Sequence, residues 1–362
     1  MSPPALTNTL SLSLTEVHVG PPSGSNINGL DARGAMGLPE QYVGPDRLAV
    51  RAQCCRLASY SRDRLAEMAE DESLSFAERF GAGLLLGLMG DPRIDPLRPA
   101  MCEVPAGVYP VGLPFSEIDR VVQQFSRYGV LREWIQKESP RHDVELKDFR
   151  IGKYPVTNGE YQRFLLETGH LPLPTSWPFG VSPPGSDNLP VFTVTPSSAE
   201  RYCEWLSGKT GQHFRLPSEA EWEAAAAGPE GRAFPWGETF MPDHANTVEA
   251  GVLTATPVGI FPQGRAHCGA LDLAGNVEEY VSDDYRPYPG GEHVMDDLHP
   301  DVGGYRVARG GSFTRYRDLA RCQRRHGWYE KPIYAMGFRL AEFATPTRPA
   351  FPAGGSDAEG IG

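Results

Sequence analysis

Phe214-Arg-Leu-Pro-Ser-Glu-Ala-Glu-Trp-Glu223 reads as a helix start. Ser218 and Glu221 make a capping box, Pro217 precedes it, and the helix is expected from Glu219 to Ala227. Glu219 and Glu221 suit the positive end of the helix dipole, with Leu216 and Trp222 as apolar anchors around the start. Upstream, Thr195-Pro196 opens a second helix over 197–207, with Ala199, Tyr202, Cys203, Trp205 and Leu206 as its buried stripe. Downstream of Gly228 the texture changes to turns and short strands as far as Leu340. Gly 40 and Pro 34 are 74 of 362 residues, about 20 % against a usual roughly 12 %. A few capped helices in so turn-rich a chain imply a globular α+β fold with little regular secondary structure. A helical bundle, a coiled coil and an eightfold α/β barrel are excluded.

Further from that helix, residues 1–45 form a Gly/Pro/Ser-rich arm. Residues 46–95 are a helical segment. In it Leu48, Val50, Cys54, Leu57, Leu65 and Met68 recur at helical spacing, and a second apolar run goes from Phe76 to Met89. A domain over 101–342 follows, with an amphipathic helical insertion at 116–137 and a strand over Val144–Ile151. Residues 343–362 are expected to be a loose tail.

The net charge of −12, without a basic run, argues against nucleic acid as a partner. The longest apolar stretch, Gly81 to Met89, is too short to span a bilayer, and the N-terminus lacks the pattern of a secretory signal. Six cysteines (Cys54, Cys55, Cys102, Cys203, Cys268, Cys322) show no CxxC and no framework spacing. The expectation is a cytoplasmic protein with mostly free thiols and no membrane contact.

Four blocks then carry a resemblance. They are Glu138-Ser-Pro-Arg-His-Asp-Val-Glu-Leu-Lys-Asp-Phe-Arg-Ile-Gly-Lys-Tyr-Pro-Val-Thr-Asn158, the 214–223 stretch with Phe234-Pro-Trp-Gly-Glu238, Leu271-Asp-Leu-Ala-Gly-Asn-Val-Glu-Glu-Tyr280, and Arg309-Gly-Gly-Ser312 to Gly337-Phe-Arg-Leu340. In this order they resemble the formylglycine-generating enzyme, or sulfatase-modifying factor, family over about residues 101 to 342. The resemblance implies a C-type-lectin-like α+β fold.

It also implies chemistry that this chain does not repeat. The family's oxidases hold copper on two thiols after the Gly-Gly-Ser turn, and Arg315 and Ala320 stand where those thiols are expected. Cys322 falls two positions too late. A sulfoxide-forming branch holds iron on three histidines, two of them N-terminal, yet no histidine lies between His18 and His142. No copper or iron is therefore expected. His293-Val-Met-Asp-Asp-Leu-His299 can supply two imidazoles and a carboxylate, or be a solvated loop. A structural Ca²⁺ is what the resemblance implies on the Asp272 side chain, the Gly275 and Val277 carbonyls and the Glu279 carboxylate. A second calcium site, on Asn246 and Thr247, is not expected, because its loop is short.

The leading expectation is a non-catalytic ligand- or protein-binding protein, a sensor or adaptor. Its candidate ligand surface is Phe313, Arg315, Tyr316, Arg317, Arg321, Arg324, His326, Trp328, Tyr329 and Tyr334, aromatic and arginine-rich as binding hot spots are. With Arg325 and Arg339 these make a basic patch suited to a protein, an acidic ligand or a peptide, unless the arginines pair with carboxylates of the same domain. Some relatives diversify this segment through retroelements, but no Asn follows Asn276 here. Phe76-Ala-Glu-Arg-Phe-Gly-Ala-Gly resembles helical lead-ins of bacterial signalling and defence proteins, which would make 46–95 a docking element for a partner or for the domain itself. The alternative is a metal-dependent oxidoreductase of the same superfamily acting on a small molecule or peptide.

Overall fold

A computed structural model describes residues 26–42, 48–298, 304–328 and 331–343. Most of the arm 1–45, the tail beyond Phe343, Tyr329, His18 and His299 lie outside the described residues.

The helical segment is three helices after a short α1 (Ala32–Ala35): α2 (Leu48–Leu57), α3 (Arg62–Ala69) and α4 (Phe76–Met89). Ser61 caps α3, which breaks the continuous spacing read from Leu48 to Met68, and Ser75 with Glu78 forms a capping box on α4. The apolar face of α4 does not wait for a partner. Leu86 and Ala82 are buried with Ile260 and Phe261 of the main domain, and at Gly87 a Cβ would come 2.4 Å from the Gly185 carbonyl oxygen. Only glycine permits that approach.

The main domain begins with β1 (Met101–Val104) and β2 (Gly107–Val111). The expected insertion is two short helices, α5 (Ile118–Phe125) and α6 (Arg132–Gln136), separated at Gly129 with φ 72°. The alternating stretch 144–151 is two strands, β3 (His142–Leu146) and β4 (Phe149–Gly152), which leave for different sheets. α7 (Asn158–Thr168), α8 (Pro196–Thr210), β5 (Phe214–Arg215) and α9 (Glu219–Ala227) follow, all three helices capped as the sequence suggests. Beyond Gly228 come β6 (Glu278–Asp284), β7 (Arg306–Arg309), β8 (His326–Gly327), β9 (Met336–Phe338) and β10 (Ala341–Phe343).

One sheet runs β1-β4-β10-β5, another β8-β7-β6-β9 with β6 and β9 parallel, and β2-β3 stands apart as an antiparallel pair. The main core joins α5–α8 to these sheets through Tyr161, Tyr202, Trp134 and Phe338.

Candidate functional site

The turn after β7 fixes the segment that the sequence singled out. Gly311, at φ 70°, lies so close to the Leu319 and Ala320 backbone that a Cβ would meet it at 2.9 Å. The chain thus folds inward and the expected ligand surface does not form. Phe313, Arg315, Tyr316, Arg321, Arg324, His326 and Tyr334 are 1–8 % exposed. Arg317 is half-buried on Glu249 (2.9 Å), Trp328 alone stays in solvent at 54 %, and Tyr329 is outside the described residues. The physical reason is pairing within the domain. Arg321 sends one nitrogen to both oxygens of Glu138 (2.6 and 2.7 Å), and Arg325 grips both oxygens of Glu219 at 2.7 Å. Arg324 donates to the Trp134 and Arg325 carbonyls (3.2 and 2.8 Å).

What this brings together is a buried polar cluster. His326 Nδ1 is 2.5 Å from Glu278 Oε2, the imidazole stacks on Tyr334 (5.1 Å), and Arg315 lies 5.0 Å over the same ring. Burial pushes the Glu278 carboxyl up to about 8, against the pull of Arg315 and Arg324. Burial, with Arg315 and Arg324 beside it, holds the His326 imidazolium well below its ordinary range. Burial thus favours the uncharged form of both groups. Glu278 Oε1 and the Nε and Nη1 of Arg315 have no protein partner. Glu278 was missed as a bystander between calcium ligands. The available signal was the doublet Glu278-Glu279 on a strand, where neighbours face opposite sides.

A cavity of about 430 Å³ opens between α5 and the 231–238 loop. Arg321, immediately after Ala320, forms part of its wall, packed 5.6 Å from the Phe125 ring, and its buried Nε has no acceptor. Gln323 braces the facing loop by donating to the Gly231 and Arg232 carbonyls (3.3 and 2.9 Å).

The calcium turn fits its ion poorly. Asp272, Gly275, Val277 and Glu279 do lie on one turn, but both Glu279 oxygens are held by Arg339 at 2.7 Å, and Trp222 Nε1 donates to one of them at 2.7 Å. Asp272 Oδ2 accepts from the Gly259 N–H at 2.7 Å. A fully buried guanidinium already neutralises the glutamate that the ion needs, so the residues present do not fit Ca²⁺. Among the described residues no three His, Cys, Asp or Glu side chains group as a metal site. In the 293–299 stretch Asp296 pairs with Lys137, and Asp297 accepts from Trp134 Nε1 at 3.1 Å. Cys322 is buried, its thiol raised well above the ordinary range by burial. Among the described residues no helix is long and apolar enough to cross a membrane.

Short strands, capped helices and an inward-folded Gly-Gly-Ser segment define an α+β fold of the formylglycine-generating-enzyme type. The sulfatase-modifying factor enzyme 1-like domain matches residues 91–344, and the chain belongs to that family. It is 32 % identical over 243 residues to hercynine oxygenase of Mycobacterium tuberculosis, covering 57 % of this chain and 55 % of that protein. The formylglycine-generating enzyme of Streptomyces coelicolor is 32 % identical over 274 residues, 58 % of this chain and 83 % of the relative. The structure of PvdO from Pseudomonas aeruginosa superposes with a TM-score of 0.54 at 27 % identity, covering 68 % of this chain and 95 % of that one. The chain spans about half the length of the mycobacterial hercynine oxygenase.

Proposed function

We propose that this chain is an oxygen-dependent oxidoreductase of the sulfatase-modifying factor superfamily, distinct from the formylglycine-generating oxidases, acting on a small molecule or peptide in the cavity beside Arg321. One observation carries it: next to the position where the resemblance expects a second reactive thiol, a cavity of about 430 Å³ opens, bordered by Arg321 and lined by Phe125 and Phe234. The similarity to an oxygenase supports the oxidative half of the reading. Within it, Arg321 and Arg141 border the substrate, and Phe125 and Phe234 exclude water. The six free thiols are consistent with a reducing cytoplasm.

Binding without turnover, to a protein or an acidic ligand, is the second reading. It is favoured by Arg315 and Ala320 standing in place of two thiols. Metal analysis of protein purified without chelators, followed by oxygen uptake and product mass spectrometry over a panel of small molecules and peptides, separates the two. Stoichiometric iron or copper with oxygen uptake supports the oxidoreductase. Ligand binding with no uptake under any metal supports the binder.

A further inference from the structure

Thr168 to Ser186 is the longest stretch of the chain without Asp, Glu, Lys or Arg, in a protein whose net charge is −12. It begins at the last residue of α7 and carries Leu171, Leu173, Phe179 and Val181 into solvent. The exposed Leu88 at the end of α4 joins them, since a Cβ on Gly185 would come 2.7 Å from its Cδ2. Between Leu171–Pro174 and Phe179–Gly180 lies an open depression of about 720 Å³, floored by the buried Trp177. Phe179 stands at its side, wholly exposed, at φ 58°. A bulky residue adopts that conformation at a cost, and a ring in full solvent gains almost nothing from its own chain in return. The loop is nevertheless held. Ser176 donates from its N–H to Thr193 Oγ1 (2.7 Å) and from its hydroxyl to the Phe192 carbonyl (2.8 Å), and Trp177 Nε1 donates to Asn158 Oδ1 (2.8 Å).

From this we infer that the 171–186 loop and the end of α4 form the contact face of a symmetric dimer of this chain, with Phe179 of each copy seated in the depression of the other. Two arguments select a second copy as the occupant. The face carries both a projecting ring and a hollow for one, the self-complementarity that a two-fold interface needs. Two chains at −12 also repel each other, so they meet at least cost where neither brings a charged side chain. Glu167, at the border of the stretch, is held by Arg163 and Lys209 (3.0 and 2.7 Å). The hydrogen bonds of Ser176 and Trp177 leave the loop little freedom to lose on pairing. Twelve residues of 171–186 are at least partly exposed, and Leu88 and Met89 make fourteen a side. A standard interface uses roughly 20–30, so the dimer is weak, on the order of 10 µM. The pairing is independent of the reaction proposed above.

The test is sedimentation equilibrium of the full chain from about 1 to 300 µM, where a reversible monomer–dimer equilibrium is expected. Phe179→Gly removes the ring and relaxes the backbone at φ 58°, so it should unfold no earlier than the wild type and weaken the dimer at least about tenfold. Phe179→Glu and Leu171→Lys should each be monomeric alone. An equimolar mixture of those two should pair, because the new charges face one another in one half of the interface and the other half stays native. Val108→Glu, on exposed surface of β2, should dimerise like the wild type. A chain still monomeric at about 300 µM overturns the inference. So does a dimer that survives Phe179→Gly and Phe179→Glu, or a mixture that stays monomeric. Flotation of a monomeric chain with phosphatidylcholine vesicles, lost in Phe179→Glu, also overturns it and gives the face to a membrane.

Discussion

Replacing Arg339 by leucine should expose how much of the fold hangs on one internal cation. Its guanidinium holds both oxygens of Glu279 at 2.7 Å and donates to the carbonyls of Gly152 (2.7 Å), Leu271 (2.9 Å) and Lys153 (3.3 Å). Arg339 is fully buried and Glu279 is 1 % exposed. Truncation leaves that carboxylate with the Trp222 indole alone. An uncompensated buried charge of this kind costs about 3–5 kcal/mol. At about 2.1 cal/mol/K per residue, the 362-residue chain has an unfolding entropy near 0.8 kcal/mol/K, so the midpoint should fall by about 4–7 °C. The double variant Arg339→Leu/Glu279→Leu removes both charges and should recover much of the loss. Thermal unfolding by circular dichroism reads each step. The same assay addresses calcium, because a micromolar site in millimolar Ca²⁺ would contribute about 4 kcal/mol, or about 5 °C. The wild type should unfold at the same temperature in calcium and in chelator. A calcium-dependent rise of that size, or a single variant that loses less than about 1 °C, refutes the assignment of Arg339 as the resident cation.

Three further outcomes can be checked directly. Burial pushes the Asp272 carboxyl up to about 6, against the Gly259 N–H and Arg339. An unfolded aspartate ionises near 3.9, so between that pH and about 6 the unfolded chain binds fewer protons and stability falls as pH rises, by about 3 kcal/mol, then levels. Asp272→Asn keeps an acceptor for Gly259 and tolerates the local φ of 58°, so it should match the wild type near pH 4 and exceed it at pH 7.5. An unchanged difference in midpoint between the two pH values counts against it. Gly87→Ala should loosen the helical segment from the domain, read as faster amide exchange over 62–89 with little change in 142–152, since a Cβ cannot share space with the Gly185 oxygen. In a thiol-labelling time course the exposed Cys55 should react first, and the buried Cys203 and Cys322 only on unfolding.

The helices were legible because their ends are written in short-range chemistry. Ser218 with Glu221 and Thr195 with Pro196 set boundaries that tertiary structure had no reason to move. The strands were less so. The pattern over 144–151 alternates correctly, yet Lys147 and Asp148 mark a corner where the chain passes from the β2–β3 pair to the four-stranded sheet, and alternation cannot say which sheet a residue joins. The site was legible as a segment but not as a surface. Arginine and aromatic residues look alike in sequence whether they wait for a partner or fill a polar interior. The carboxylates that settle the matter, Glu138, Glu219 and Glu278, lie 48 to 183 positions away from the arginines and histidine they meet. Among the described residues only Trp328 and Arg317 keep part of the exposure expected of them.

The interior arginines follow from the same scarcity of regular structure that the glycine and proline content announces. A chain with strands of two to seven residues leaves many inward-facing carbonyls outside any ladder, and each needs a donor. Arginine supplies up to five on one rigid plane. Arg339 reaches three carbonyls, Arg309 those of Cys322 and Arg324, Arg324 those of Trp134 and Arg325, Arg325 that of Lys137, and Arg79 those of Ile260 and Leu74. Glutamates beneath them neutralise the charge, so the basic patch read from the sequence is spent inside. Among the described residues two arginines of the 310–328 segment break this pattern. Arg315 and Arg321 donate to no backbone carbonyl and keep buried N–H groups without acceptors. They flank Ala320 on a turn that Gly311 forces inward, and one of them borders the cavity.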